Sequence, residues 1–109
     1  MRVLLDACVP RPLRKFLPDH SVQTAQEMGW GQLKNGALLR EAEIQFDAFI
    51  TTDQNLKHQQ KVVGRKLAIL VLPTNDWPTI RSKGGEIATT VATLKPGDFV
   101  ELSWRFFYR

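Results

Sequence analysis

The chain has little cysteine, no long hydrophobic run and no leader-like start. Its one cysteine, Cys8, excludes an internal disulfide framework and a zinc site built from cysteines. The longest unbroken apolar run, residues 67–72, is far too short to span a bilayer. Met1 leads straight into a strand-like segment instead of a basic and then apolar signal sequence. We therefore expect a cytoplasmic protein that has no membrane partner.

Length and composition indicate one globular domain. The 109 residues are 43% hydrophobic and 24% charged, which is ordinary for a folded domain and unlike a disordered chain. Because no repeat, low-complexity tract or linker interrupts the sequence, we expect a single domain over residues 1–109. The formal net charge of +4 favours a polyanionic partner, but only modestly, since many basic proteins bind no nucleic acid.

Strand-like and helix-like patterns alternate along the sequence. Short apolar or alternating runs predict strands over 3–5, 21–25, 48–52, 67–72 and 100–104. Helical spacing, helix-opening prolines and a capping aspartate predict helices over 10–16, 38–46, 55–63 and 76–94, the last of them loosened at Gly84-Gly85. This alternation predicts an α/β fold, a three-layer α/β/α sandwich around a mainly parallel sheet of about five strands. A flavodoxin-like order, with the first and third strands adjacent, is the preferred arrangement.

Two aspartates follow strand-like runs. Asp6 comes directly after the first run and Asp53 after the third, and ligands of open parallel sheets bind outside the carboxyl ends of the strands. If the two strands are neighbours, about 5 Å apart, the carboxylates can share one divalent ion. Mg²⁺ typically takes one or two protein carboxylates, waters and substrate phosphate oxygens, so a pair of aspartates meets the minimum. The competing interpretation is that each aspartate only caps the helix that follows it.

Four segments resemble a known family, and they read VLLDACVP over 3–10, GWG over 29–31, KNGALL over 34–39 and TTDQNL over 51–56. In this order and spacing they resemble a compact PIN-like family related to VapC-type PIN ribonucleases, whose members are assigned as toxins of toxin–antitoxin pairs. The resemblance runs from residue 2 to about residue 72. It implies a PIN-like fold and RNA cleavage that depends on Mg²⁺ or Mn²⁺ held by several acidic residues.

By matching positions, the resemblance implies catalytic roles for Asp6, Asp53 and Asn35, with Asp6 and Asp53 as the metal ligands. Asn35 stands where many relatives have an aspartate that opens a helix, and Asn55 stands where some have a second acid. Each amide in place of a carboxylate removes a charge attraction to the ion, on the order of several kcal/mol at contact before desolvation is subtracted. We therefore expect a weakened metal site, for which the nearby acids able to compensate are Glu41 and Glu43.

Contacts with RNA are expected beside the two aspartates. The helix after Asp53 offers its N-terminal amides to a phosphate. Lys57 and Lys61 lie four residues apart on one helical face, where they can follow an RNA backbone without reading its bases. The other expected RNA-binding residues are Asn55, Gln59, Arg11 and Arg14. A solvated charged surface explains the same residues about as well.

Three functions compete. The first is a metal-dependent endoribonuclease, a toxin restrained by an antitoxin protein. The second is a catalytically weakened, PIN-derived module that binds RNA or protein, and the amides at 35 and 55 favour it. The third, a receiver-like phosphoacceptor, is disfavoured because Ala7 and Cys8 follow Asp6 where a second acid is needed, and because no lysine follows the last predicted strand.

Two features lie outside these functions. Cys8 is expected to pack beside the first strand, and to act as a nucleophile only if a histidine lies near it. The aromatic C-terminus, residues 104–109, suggests a homodimer or partner interface, because one exposed patch of such side chains is costly. The alternative is that this segment extends the last strand over the core.

Overall fold

A computed structural model describes residues 1–58 and 64–104, except for the side chain of Asn35. The described strands are β1 (Arg2–Leu5), β2 (Ser21–Thr24), β3 (Ala48–Thr51), β4 (Ala68–Val71) and β5 (Phe99–Glu101). They form a five-stranded, all-parallel sheet in the order β2-β1-β3-β4-β5. The predicted α/β class and the adjacency of β1 and β3 are therefore confirmed.

The described helices are α1 (Asn35–Gln45), α2 (Trp77–Ser82) and α3 (Gly84–Thr93), with 3₁₀ helices at Arg11–Phe16 and Leu56–His58. The predicted helix over 76–94 is broken at Lys83, directly before the glycine pair that was expected to loosen it. The last strand predicted over 100–104 is present, but it is shorter and starts one residue earlier: β5 is Phe99–Glu101, and the Leu102 N–H still donates to the Val71 carbonyl at 2.9 Å. The predicted helix over 55–63 is described only at Leu56–His58, since residues 59–63 lie outside the described part.

Two apolar clusters cover the two faces of the sheet. Alternate strand residues, Leu5 and Ile50 among them, pack against the first 3₁₀ helix, α2 and α3. The residues between them, Leu4 and Phe49 among them, pack against α1. Both faces of the strands are buried, which is why the central strands read as continuous apolar runs. The arrangement is a three-layer α/β/α sandwich.

Local chemistry fixes the ends of several elements. Asp76 caps α2 as predicted, because its Oδ2 accepts hydrogen bonds from the backbone N–H of Thr79 at 3.2 Å and from its hydroxyl at 2.6 Å. Gly84 opens α3 against the ring of Phe16, and a Cβ added there would lie 2.3 Å from the Phe16 Cδ1 atom. None of the described helices has the length and apolar character needed to cross a bilayer.

Candidate functional site

Asp6 and Asp53 both follow the carboxyl ends of neighbouring strands. β1 ends at Leu5 and β3 ends at Thr51. The pairing of the two strands continues one step further, because the Asp6 N–H donates to the Ile50 carbonyl at 2.9 Å. The all-parallel sheet thus brings the two predicted metal ligands to the same edge.

The side chain of Thr51 connects the two aspartates. This residue is fully buried, with 0% of its surface exposed. Its hydroxyl donates to Asp6 Oδ2 at 2.7 Å and accepts from the Asp53 backbone N–H at 3.1 Å. A buried hydroxyl with both hydrogen-bonding roles filled fixes the groups on either side of it. Thr51 belongs to the third predicted strand and to the TTDQNL segment of the resemblance, but neither pattern predicts this contact.

Cys8 lies in the site, and its expected packing against the first strand is wrong. The thiol is exposed, its Sγ lies 3.7 Å from Asp6 Oδ2, and it accepts a hydrogen bond from the Thr52 hydroxyl at 3.0 Å. The chain turns directly after Asp6, where the Ala7 N–H donates to Asp6 Oδ1 at 2.8 Å. That turn places Cys8 at the edge of the sheet. The sequence signal for this placement was that Cys8 comes only two residues after Asp6, the predicted metal ligand.

Asp53 shapes the turn into the next helix. Its Oδ1 accepts from the Asn55 N–H at 3.0 Å, and its carbonyl accepts from the Leu56 N–H at 3.3 Å. The capping interpretation therefore applies to Asp53, in the form of an aspartate turn. It does not explain Asp6, whose carboxylate accepts from Ala7 and Thr51, ahead of the 3₁₀ helix that begins at Arg11.

Gln54 ties this loop to β4, a contact that the sequence analysis did not foresee. Its Nε2 donates to the Leu72 carbonyl at 2.6 Å and to the Thr52 carbonyl at 3.1 Å. Leu72 directly follows β4, so the loop after β3 is held at both of its neighbouring strands. The position of Asp53 thus depends on contacts with both β1 and β4.

Two of the predicted RNA-binding cations have protein partners. Arg14 pairs with Glu27 at 2.8 Å, and Lys57 lies 3.5 Å from a carboxylate oxygen of Glu101 at the end of β5. The hydrogen bond from Arg14 is the main cause that holds the pKa of Glu27 below its ordinary value, followed by the hydrogen bond from the Thr24 N–H. Both pairs are partly exposed, so each contributes little to stability.

The other predicted site residues divide into described and undescribed ones. Arg11 and Asn55 are exposed. Asn35 is the first residue of α1, as the resemblance implied, but its side chain is not described. Gln59 and Lys61 lie outside the described residues, as does the C-terminus after Trp104.

The described acids give limited support to a metal centre. Over residues 1–58 and 64–104, no three His, Cys, Asp or Glu side chains gather as a metal-ligating group. Glu43 does not compensate, because it pairs with Arg65 at 3.1 Å and accepts from the Lys66 N–H at 2.7 Å, near the start of β4. Glu41 is exposed on α1. The described geometry therefore offers the Asp6 and Asp53 carboxylates as the candidate ligands.

Those ligands suit a hard cation. Asp6 Oδ1 accepts one described hydrogen bond, from the Ala7 N–H, and Oδ2 accepts two, from the Thr51 hydroxyl and from the Cys8 thiol at 3.7 Å. A carboxylate has about four lone-pair sites in all. Acceptor capacity therefore remains on Asp6 for an ion. Carboxylate oxygens with waters and phosphate oxygens form the donor set that Mg²⁺ and Mn²⁺ prefer.

Comparisons of the chain with protein-family models, with curated proteins and with solved structures return no match.

Proposed function

We propose that this protein is a metal-dependent endoribonuclease in which Asp6 and Asp53 hold Mg²⁺ or Mn²⁺. The observation that carries the proposal is the placement of Asp6 and Asp53 after adjacent parallel strands, where the buried Thr51 hydroxyl bonds both the Asp6 carboxylate and the Asp53 backbone N–H. The carboxyl edge of an open parallel sheet is the usual ligand site of such folds. The resemblance to PIN-like toxins supports RNA as the substrate and an antitoxin protein as the restraining partner.

The chain's residues have distinct roles in this proposal. When bound, a divalent ion supplies positive charge beside the scissile phosphodiester and lowers the pKa of a coordinated water. Thr51 holds the Asp6 carboxylate in place through its 2.7 Å hydrogen bond. The exposed cations Arg11 and Lys57 contact the RNA backbone by charge, so binding weakens as salt is added.

Cleavage of a labelled, single-stranded oligoribonucleotide tests the proposal. The purified chain should shorten the RNA with Mn²⁺ or Mg²⁺ present, and not with EDTA. The double variant Asp6→Asn/Asp53→Asn should abolish cleavage, because it removes both carboxylate charges while keeping side-chain size. Asp19→Asn is the matched control, since it removes an exposed carboxylate that precedes β2, at the opposite edge of the sheet.

Thermal unfolding of each variant shows that it is folded before activity is compared. Equal cleavage by the double variant and the unmodified chain would exclude Asp6 and Asp53 as the catalytic ligands. Calorimetric titration with Mn²⁺ gives an independent measurement. If no binding is detected, even with a phosphate analogue present, the metal-dependent mechanism is wrong.

The second candidate is a PIN-derived module that binds RNA or a protein without cleaving it. The amides at Asn35 and Asn55, and the absence of a third acid in the described part of the site, favour it. This candidate predicts that the chain retards the labelled RNA in EDTA and leaves it intact with Mn²⁺. The same oligoribonucleotide assay therefore separates the two functions.

A further inference from the structure

A cleft opens at the amino edge of the sheet, opposite Asp6 and Asp53. It has a volume of about 420 Å³, within the range of about 300–1,000 Å³ that is typical of small-molecule sites. It lies beneath the starts of β1, β3 and β4, between the C-terminal ends of α1 and α3. The residues that line it include Met1, Phe46, Leu67, Leu94, Lys66 and Lys95.

The floor of the cleft is apolar and belongs to the core. Phe46 and Leu67 are part of the cluster beneath α1, and Leu94 is part of the cluster on the other face of the sheet. These three side chains are at least nine-tenths buried, with exposures of 5%, 3% and 9%. Since core side chains hold fixed positions, the floor exists before any ligand arrives.

A tight turn forms one wall. The Asp98 N–H donates to the Lys95 carbonyl at 3.0 Å, and Gly97 at the third position of the turn has a φ of +84°, as a type II turn with Pro96 at its second position requires. The Gly97 N–H donates to the Lys66 carbonyl at 2.8 Å. The wall is therefore tied to the segment that enters β4, and it brings the backbones of Lys66 and Lys95 to the same rim.

The acidic groups around the rim are held by other residues of the protein, whereas the two lysine side chains form no ion pair with any described residue. The two acids that line the cleft and Asp98, in the turn that forms its wall, are all engaged by the protein. The Asp98 Oδ2 accepts from the Lys95 N–H at 2.9 Å. Glu43 pairs with Arg65 and accepts from the Lys66 N–H, and Asp47 Oδ2 accepts from the Arg2 N–H at 2.8 Å.

The two lysines at the rim remain available to a ligand. Lys66 and Lys95 are exposed, and among the described residues neither ammonium group forms an ion pair. The electrostatic attraction that the cleft can still offer is therefore to an anion.

We propose that this cleft binds a small amphipathic anion, with an aromatic or aliphatic body on the Phe46–Leu67–Leu94 floor and an acidic group facing Lys66 and Lys95. The acidic group is a carboxylate, sulfonate or phosphate. The apolar body gains by leaving water, while the charge selects the orientation. None of these residues belongs to the proposed nuclease site, so the two proposals stand independently.

Titration with 1-naphthoate, followed by backbone amide NMR, tests the proposal. Saturable shifts should centre on the amides of Leu67, Ala68 and Leu94 and should spare those of Asp6 and Thr52. The neutral analogue 1-naphthalenemethanol, which has the same ring system without the charge, should bind more weakly. The preference for the anion should shrink as salt is added, because the lysines are exposed.

A pair of charge variants tests the role of the lysines. Lys66→Gln/Lys95→Gln should raise the dissociation constant of 1-naphthoate about fivefold, as expected for the loss of two exposed charge interactions. Lys15→Gln/Lys34→Gln removes the same charge from two other exposed positions and should leave the constant unchanged. The dissociation constant of 1-naphthalenemethanol should be the same in both variants.

Three results would overturn the proposal. The first is the absence of saturable binding, or shifts centred on the carboxyl edge. The second is equal affinity for the anion and the neutral analogue. The third is a dimer, seen by sedimentation velocity, that 1-naphthoate dissociates, since a second copy of the chain would then be the occupant of the cleft.

Discussion

The Thr51 hydroxyl donates a 2.7 Å hydrogen bond to Asp6 Oδ2 and so joins the end of β3 to the end of β1. The oxygen of the Thr51 hydroxyl also accepts a hydrogen bond from the Asp53 backbone N–H at 3.1 Å. One buried side chain therefore holds a carboxylate on one strand and the backbone that carries the other. The relative positions of Asp6 and Asp53 therefore depend on the hydrogen bonds of this hydroxyl.

Replacing Thr51 with valine should destabilise the protein and disturb the site. Valine keeps the shape of threonine, but it takes the hydroxyl partner from the part-buried Asp6 Oδ2 and from the Asp53 N–H, at a cost of about 1–3 kcal/mol. We expect this loss in the free energy of unfolding, measured by urea denaturation. If Asp6 and Asp53 bind Mn²⁺, the affinity should also fall. Thr51→Ser retains the hydroxyl, and it should recover most of both quantities.

A valine variant as stable as the unmodified chain would show that the hydroxyl contributes nothing net to folding. Loss of stability with no change in Mn²⁺ affinity would separate the structural role of Thr51 from any role in the site.

The glycines that open α3 should respond in opposite ways to alanine. At Gly84 a Cβ would lie 2.3 Å from the Phe16 Cδ1 atom and 2.7 Å from its Cγ atom. The Phe16 ring also packs against Trp77, with centroids 6.3 Å apart, so it cannot move away freely. Overpacking of this kind typically costs about 1–3 kcal/mol.

Gly85 is the matched control. A Cβ there meets no atom within 4 Å, and alanine is the better helix former by up to about 1 kcal/mol. Thermal unfolding should therefore show a lower midpoint for Gly84→Ala and an equal or higher one for Gly85→Ala. Equal destabilisation by the two substitutions would mean that backbone freedom, and not the contact with Phe16, determines the role of this glycine pair.

The fold was largely predictable because its signals are local. The apolar runs that became β1, β3 and β4 are buried on both faces, and the Asp76–Pro78 pattern marks the start of α2. The placement of Asp6 and Asp53 at one edge followed from the parallel direction of the strands, and the adjacency of β1 and β3 makes them neighbours there.

What the sequence did not reveal depends on contacts between distant residues. Thr51 reaches a partner 45 positions away, and Gly84 meets Phe16 of the first 3₁₀ helix, which packs beside α3 on the same face of the sheet. Glu43 was expected near the metal site, but its pairing with Arg65 and Lys66 places it by the start of β4. No periodicity or spacing encodes such partners, because they exist only once the layers have packed.

The pKa of Glu27 should depend on Arg14. The hydrogen bond from the Arg14 guanidinium is the largest cause that lowers the pKa of this carboxyl. A lowered folded-state pKa means that the contribution to stability is present above the unfolded value of about 4.3. It is lost as the pH falls through the folded-state pKa. Carbon-detected NMR titration of the Glu27 carboxyl should show the lowered pKa directly.

Arg14→Gln should raise that pKa towards the ordinary value for glutamate. Lys15→Gln removes a neighbouring exposed charge without touching the pair, so it is the control. An unchanged Glu27 titration in Arg14→Gln would assign the shift to the Thr24 N–H. Arg14 could then bind an RNA phosphate without changing the pKa of Glu27.

Adding a carboxylate at Asn55 should strengthen the proposed metal site. The Asn55 N–H already donates to Asp53 Oδ1 at 3.0 Å, so the residue stands directly beside one candidate ligand. One more negative charge about 4 Å from a cation is worth about 1 kcal/mol in water, or about fivefold in affinity. Asn55→Asp should therefore bind Mn²⁺ about fivefold more tightly by calorimetry, and Gln45→Glu, which adds the same charge at the last residue of α1, at the opposite edge of the sheet, should not. Equal gains from the two variants would indicate a general charge effect with no bound ion beside Asp53, and the binding-module function would then be favoured over the nuclease.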